Sequence, residues 1–195
     1  MVRQPRGEER RRAILFAALR VIGAEGLSAV THRTVAEVAR VPLGSLTYYF
    51  ASKEDLLREA LLLFADEEVA RLHALAAALE EESLPPAEIA VRFGDALSGS
   101  DPEQVAQFEL YLEAARNPAL QAPAAACFAA YEQVCASALR AAGVEAPGAL
   151  PGLFVAYLDG AGLRRLAAPR DAGPELADGL LALFEALVAA HGAPA

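Results

Sequence analysis

Between Thr31 and Lys53 the chain gathers side chains suited to gripping a polyanion. Gly44, Ser45, Thr47, Tyr48 and Tyr49 fall within one short stretch. Ser and Thr hydroxyls can reach base edges or phosphate oxygens, tyrosine hydroxyls can hydrogen-bond phosphates, and glycine lets a backbone approach a duplex closely. Arg33 can reach guanine or the sugar-phosphate strand, and Lys53 offers a charge-assisted phosphate contact beside a helix start that itself attracts anions. Thr31 has the character of a helix N-cap, and His32 after it can face a phosphate. Further upstream Arg10, Arg11 and Arg12, with Arg3 and Arg6 ahead of them, supply an arm able to follow the DNA backbone. This is the chemistry of recognition, not of bond making.

The groups that could make bonds are dispersed. His32, His73 and His191 are far apart, none lies three residues after a Glu, and there is no HExxH, paired-cysteine motif or glycine-rich phosphate loop. His73 and His191 read as a surface and a helix-end residue, and Glu80-Glu81-Glu82 reads as a solvated helix end. Cys127 and Cys135 lie on one expected helix about 12 Å apart, too far for a disulfide within it. They are expected to be buried, reduced thiols of a cytosolic protein. No catalytic residue, cofactor or metal site is expected. An all-helical enzyme is the alternative from another class, and no motif supports it.

Presenting the recognition residues requires two short helices crossing steeply. Residues 32–39 and 43–49 fit, with Val35, Ala36, Ala39, Val41 and Leu46 placed to share their small core. A larger side chain at Ala36 would hold the second helix away from the first. Arg40-Val41-Pro42 makes the turn, because the N–H that proline lacks is not needed at a helix start. Ahead of the pair, a helix over residues 8–25 turns Ile14, Leu15, Ala18, Leu19 and Ile22 inward and is stopped by Gly26. Behind it, Ser52 caps a long helix over residues 53–81, with Glu54 and Asp55 in the first turn where the helix dipole favours negative charge.

The remaining chain continues in the same manner. Pro85-Pro86 introduces a helix to residue 98, and Asp101-Pro102 caps another that carries Val105, Phe108, Tyr111 and Leu112 towards Arg116. Asn117-Pro118 repeats the signal, with Pro123 expected to delay a helix running to residue 142. Two strongly apolar helices close the chain over residues 148–168 and 174–190. The expectation is an all-α protein of about nine helices, with a DNA-binding domain over residues 1–52 and a helical ligand-binding and dimerisation domain over residues 53–195.

Composition agrees with this division. The chain has 195 residues, 55% of them hydrophobic, with no tryptophan, and its apolar residues recur at helical spacing. Residues 1–55 carry nine Lys/Arg against six Asp/Glu, a charge of +3, whereas residues 56–195 carry −12 of the overall −9. A basic head on an acidic body confines phosphate contact to the head. The start is basic and polar, and each long apolar run is broken by a charge, as Glu185 breaks that from Leu180 to Val188. Neither a signal peptide nor a membrane span is expected, and the location expected is cytoplasmic.

The stretch from Thr31 to Leu57, THRTVAEVARVPLGSLTYYFASKEDLL, resembles the signature of the TetR/AcrR family of bacterial helix-turn-helix regulators. The preceding helix RRAILFAALRVIGAEG, from Arg11 to Gly26, matches as well, and FELYLEAARNPAL from Phe108 to Leu120 resembles one group of the family's C-terminal domains. The resemblance implies a homodimer joined through its last two helices, a ligand cavity in each C-terminal domain, and a double-stranded operator released when a small-molecule effector binds. By position it assigns DNA contacts to Thr31, His32, Arg33, Leu43, Gly44, Ser45, Thr47, Tyr48, Tyr49 and Lys53. Three positions depart from the pattern: Arg40 stands where a turn glycine is common, Thr47 where a phosphate-binding tyrosine is frequent, and Pro42 where a serine cap is frequent.

Two apolar sets could serve those further roles. The last helix carries Leu176, Leu180, Leu183, Phe184, Leu187 and Val188, more apolar surface than one contact with its own domain would cover. The helix before it adds Phe154, Tyr157, Leu158 and Leu166, with Gly160 and Gly162 permitting close backbone approach. Spacing alone leaves open whether these stripes form a dimer interface or the monomer's own core. Phe93, Phe108, Tyr111, Phe128, Tyr131 and Tyr157 would suit a mostly apolar effector, with no charged anchor evident among them, or they are core. An activator, or a regulator answering to a partner protein, would carry the same residues.

Overall fold

The computed structural model describes residues 5–81, 88, 101–168 and 173–191. Among these, eight α-helices and two short 3-10 turns occur, and no strand. The α-helices are α1 (Pro5–Glu25), α2 (His32–Ala39), α3 (Leu43–Tyr49), α4 (Lys53–Glu81), α5 (Asp101–Ala114), α6 (Gln121–Ala141), α7 (Leu150–Ala167) and α8 (Gly173–His191). The helix expected over residues 86–98 lies outside the described residues.

The caps are those that the residue types dictate. Thr31 has an extended backbone and its Oγ accepts the Thr34 N–H at 3.0 Å, which opens α2. Ser52 Oγ accepts the Asp55 N–H at 3.0 Å and opens α4. The Asn117 side chain accepts from the Ala119 N–H at 3.2 Å, capping a 3-10 turn over Pro118–Leu120. Pro123 delays nothing: it sits in the first turn of α6, where a missing N–H leaves no bond unmade. Gly26, at φ 79, closes α1 with its N–H on the Ile22 carbonyl at 2.8 Å.

Arg40 closes α2 in the left-handed conformation, at φ 55 and ψ 43, and among the described residues it is the one non-glycine with positive φ. The turn geometry demands this, because the Arg40 N–H bonds the Ala36 and Glu37 carbonyls and the Val41 N–H returns to Ala36. A Cβ makes such a backbone costly by about 1 kcal/mol. Arg40→Gly is therefore expected to raise stability by up to about 1 kcal/mol, less the extra entropy of glycine in the unfolded chain, read as a higher urea midpoint at unchanged slope.

Two compact units can be distinguished, Met1–Glu67 with Ser100–Ala125, and Glu68–Gly99 with Ala126–Ala195. In the first, α1 packs on both α2 and α5, and α2 packs on α3. Its core takes Ile14, Leu15, Ala18 and Ile22 from α1, with Val35, Ala36, Leu46, Phe50, Leu56 and Leu61. Leu19, Ala39 and Val41, expected inside, are only half-buried. Gly23 allows the approach of α5, since a Cβ there would stand 2.5 Å from the Pro102 carbonyl oxygen. In the second unit Leu72, Tyr131, Val134, Cys135, Leu139, Phe154 and Phe184 form the centre of the core. Cys127 and Cys135 are buried and not joined in a disulfide, and burial pushes the Cys135 thiol pKa up. No helix among the described residues is long and apolar enough to cross a membrane.

Candidate nucleic-acid interface

The steric logic of the turn delivers α3 to the surface with one face inward. Leu46 is fully buried, and Ala36, 6% exposed, lets α3 lie close against α2. The remaining face of this seven-residue helix is open. Leu43 is 49% exposed and Tyr48 82% exposed. Gly44 and Thr47 are exposed, while Ser45 and Tyr49 are half-buried. Among the described residues no atom lies within 4 Å of a Cβ built at Gly44, so none of them covers it. The Thr47 hydroxyl is folded back on the Gly44 carbonyl at 3.2 Å. Tyr48 and Tyr49 meet edge to face, ring centroids 5.1 Å apart.

The flanking cations and caps do not all behave alike. Arg33 and Thr31 are exposed beside this face. The Lys53 ammonium donates to the Ser28 carbonyl at 3.2 Å and remains at the surface. His32 is half-buried, with Nε2 3.2 Å from the Phe50 carbonyl. The basic cluster is not an extended arm: α1 begins at Pro5, so Arg10, Arg11 and Arg12 are helical. Arg10 is exposed, whereas Arg11 pairs with Glu59 and Arg12 with Glu67, both on α4. Sequence reasoning missed these pairs because the partners lie 48 and 55 residues away.

With this geometry in place, the chain can be set beside known proteins. A family model described as "Tetracyclin repressor-like, C-terminal domain" matches residues 74–190, and one described as "Bacterial regulatory proteins, tetR family" matches residues 14–60. The chain belongs to the TetR family. It is 35% identical to a TetR-family member from Streptomyces coelicolor A3, over 92% of this chain and 98% of that one, with a TM-score of 0.66. It is 33% identical to the multidrug binding protein EbrR, solved with imidazole, over 95% of this chain and 97% of that one, with a TM-score of 0.64. EbrR has also been solved with proflavin and with ethidium. The HTH-type transcriptional regulator BetI of Rhizobium meliloti (strain 1021) is 42% identical over 78 residues, 38% of each chain. The chain spans about two fifths of the curated relatives it matches, 38% and 44%. This TetR-family protein is thus a transcriptional regulator with an N-terminal helix-turn-helix, and not an enzyme.

The aromatic residues expected to meet an effector are distributed between the units. In the first, half-buried Phe108 and Tyr111 meet at 6.5 Å between centroids, and the Tyr111 hydroxyl takes the Gln107 amide at 3.0 Å. In the second, Tyr131 is 7% exposed, while Phe128 and Tyr157 are half-buried against the core. Phe93 lies outside the described residues. A charged group that the sequence did not disclose stands here, Glu68 on α4. Its carboxylate takes the Tyr131 hydroxyl and both Nε and Nη2 of Arg71, at 2.9 and 2.7 Å. Burial alone would raise the Glu68 pKa, but the donors from Arg71 and Tyr131 outweigh it and hold the carboxyl below its ordinary value.

A depressed carboxylate pKa contributes stability that is fully present above the unfolded value and is lost as pH falls through the folded one. Tyr131→Phe removes one donor to a mostly buried charge, so it should lower stability by about 2 kcal/mol at neutral pH. The difference from wild type should shrink as the carboxylate range is crossed downward, in paired denaturation curves at several pH values.

The residues expected at a dimer interface also divide. Phe154 and Phe184 are each 1% exposed within a single chain and meet edge to face at 6.0 Å. They belong to this chain's own core, because no partner can reach side chains already covered on every side. Leu158, Leu183 and Leu187 are partly buried against that core. The side chains of Leu176 and Leu180 lie outside the described residues. What α7 does present is a different stripe: Leu153, 58% exposed, and Leu163, 56% exposed, with exposed Ala156, Gly160 and Ala167 in line.

Proposed function

We propose that this regulator is a cytoplasmic repressor that grips an approximately palindromic duplex as a homodimer and releases it when a small, mostly apolar molecule binds. The observation that carries the reading is the open face of α3, where Leu43, Gly44, Thr47 and Tyr48 are exposed around a backbone that no described residue covers at Gly44. A two-turn helix held from behind by Leu46 suits the major groove, and exposed Arg33 and surface Lys53 are the cations assigned here to bases and phosphates. Two copies about one DNA turn apart call for an inverted repeat.

EbrR, a third identical along nearly its whole length, has been solved with flat aromatic molecules, which supports an aromatic effector here. In the second unit Phe128 and Tyr157 retain exposed surface to offer it, whereas the Tyr131 hydroxyl is already committed to Glu68.

The test is recovery of bound fragments from the source bacterium's genomic DNA. Enrichment of an inverted repeat is expected, with Arg33→Ala relaxing base preference and Lys53→Ala weakening binding to every sequence and reducing the salt slope by about 1. Absence of any preference over random duplex at moderate salt defeats the reading.

A further inference from the structure

A helix of two turns cannot fix its own direction, since helices this short are not stable alone. The direction of α3 is therefore set by its anchors at either end, and at its C-terminal end α1 and α2 meet it at Phe50, with α4 held to the α1 residue. The Phe50 N–H closes the helix on the Leu46 carbonyl at 2.8 Å, and the side chain is 1% exposed. Its carbonyl faces His32 Nε2, from α2, at 3.2 Å. A carbonyl only accepts, so Nε2 carries the proton and donates it. The Phe50 ring lies under the Arg11 guanidinium of α1, 5.5 Å from the centroid, within the range of a cation–π contact. Arg11 is in turn paired with Glu59 of α4, whose other oxygen accepts Arg58 Nη2 at 2.9 Å.

We propose that Phe50 is the joint that aims the recognition helix, and that Arg11 and His32 act on it as positioning residues instead of gripping phosphate. The inference rests on the DNA-binding function proposed for α3. The charge of Arg11 is balanced by Glu59 and its planar face is spent on the Phe50 ring, so a phosphate could claim it only by dismantling both contacts. His32 has committed the N–H of Nε2 in the same way. Both residues come from helices other than α3, so together they tie its end to α1, α2 and α4.

The two roles differ in salt dependence. A cation that neutralises one phosphate contributes about 0.9 to the slope of log affinity against log salt, whereas a positioning residue contributes nothing to it. Arg11→Met keeps an unbranched side chain on the ring without the charge. It is expected to lower affinity for the genomically selected operator about tenfold, while the salt slope on a mixed-sequence duplex stays at the wild-type value. A slope reduced by about one would overturn the proposal. Glu59→Gln separates the two roles in the opposite sense: releasing Arg11 from its partner should weaken operator binding if it positions, and strengthen it if it grips phosphate.

In the free protein His32→Ala should accelerate amide exchange at Phe50 about tenfold, and His32→Gln, which restores an N–H donor, should recover much of the protection. Unchanged exchange in His32→Ala removes His32 from the joint. If wild-type protein shows no preference for any duplex, the DNA-binding reading falls and this one with it. If wild type binds and only the slope test fails, this one falls alone.

Discussion

Gly44→Val should leave the protein as stable as wild type and reduce operator affinity on the order of 100-fold, about 2.7 kcal/mol. The first half rests on geometry within the chain, because a Cβ at Gly44 meets none of the described residues within 4 Å and the residue is exposed near the start of α3. Glycine is the poorest non-proline helix former, so valine there carries no propensity penalty. The second half rests on the groove. A backbone pressed against base edges has no room for three added carbons, and raising α3 by the width of a side chain takes Ser45, Thr47 and the neighbouring tyrosines out of hydrogen-bond reach together. Thermal unfolding and fluorescence anisotropy on the same preparations check both halves. A variant that unfolds early would place the glycine's role in the fold, and one that binds normally would mean that α3 does not enter the groove at Gly44.

The helix-turn-helix was legible because its signals are local. Thr31, Pro42 and Ser52 each mark an end through a bond, or a missing N–H, within three residues, and these positions bound α2, α3 and α4 as expected. Arg40 shows the same at the level of one residue: the turn imposes a left-handed backbone there whatever its side chain. Relations across the chain were not legible. Arg11 and Arg12 read as a phosphate-seeking arm because they cluster with Arg10 near the chain's start, and the carboxylates that pair with them, Glu59 and Glu67, sit on α4. Glu68 and Arg71, three apart on a long helix, carry no local signal that sets them apart, and it is the packing of α6 that brings Tyr131 onto them.

The same limit governed the apolar helices. Periodicity locates a stripe but not the neighbour that covers it. Phe154 and Phe184 cover each other, whereas the more exposed leucines of α7 escaped notice because that helix is apolar on several sides.

Leu153→Glu combined with Leu163→Glu should abolish the proposed dimerisation, weakening self-association by at least about 1,000-fold, or 4 kcal/mol. The two leucines are the first and fourth of an exposed line, Leu153, Ala156, Gly160, Leu163 and Ala167, spaced three and four residues apart in alternation. That spacing keeps one seam of a helix facing a partner helix, and the small residues between the leucines let two backbones approach closely. Among the described residues nothing lies within 4 Å of a Cβ built at Gly160, so none of them fills the seam there. In a two-fold dimer joined through this seam the double variant would carry four carboxylates there, each to be buried unpaired or kept apart. Because the leucines are more than half exposed in the single chain, the monomer itself should remain folded. Sedimentation should therefore show a folded monomer at concentrations where wild type is dimeric, and operator binding should fall with it, since one α3 alone reads one half-site. A double variant that still sediments as a dimer would place the subunit contact elsewhere, and one that is monomeric yet binds the full operator at wild-type affinity would separate DNA recognition from dimerisation altogether.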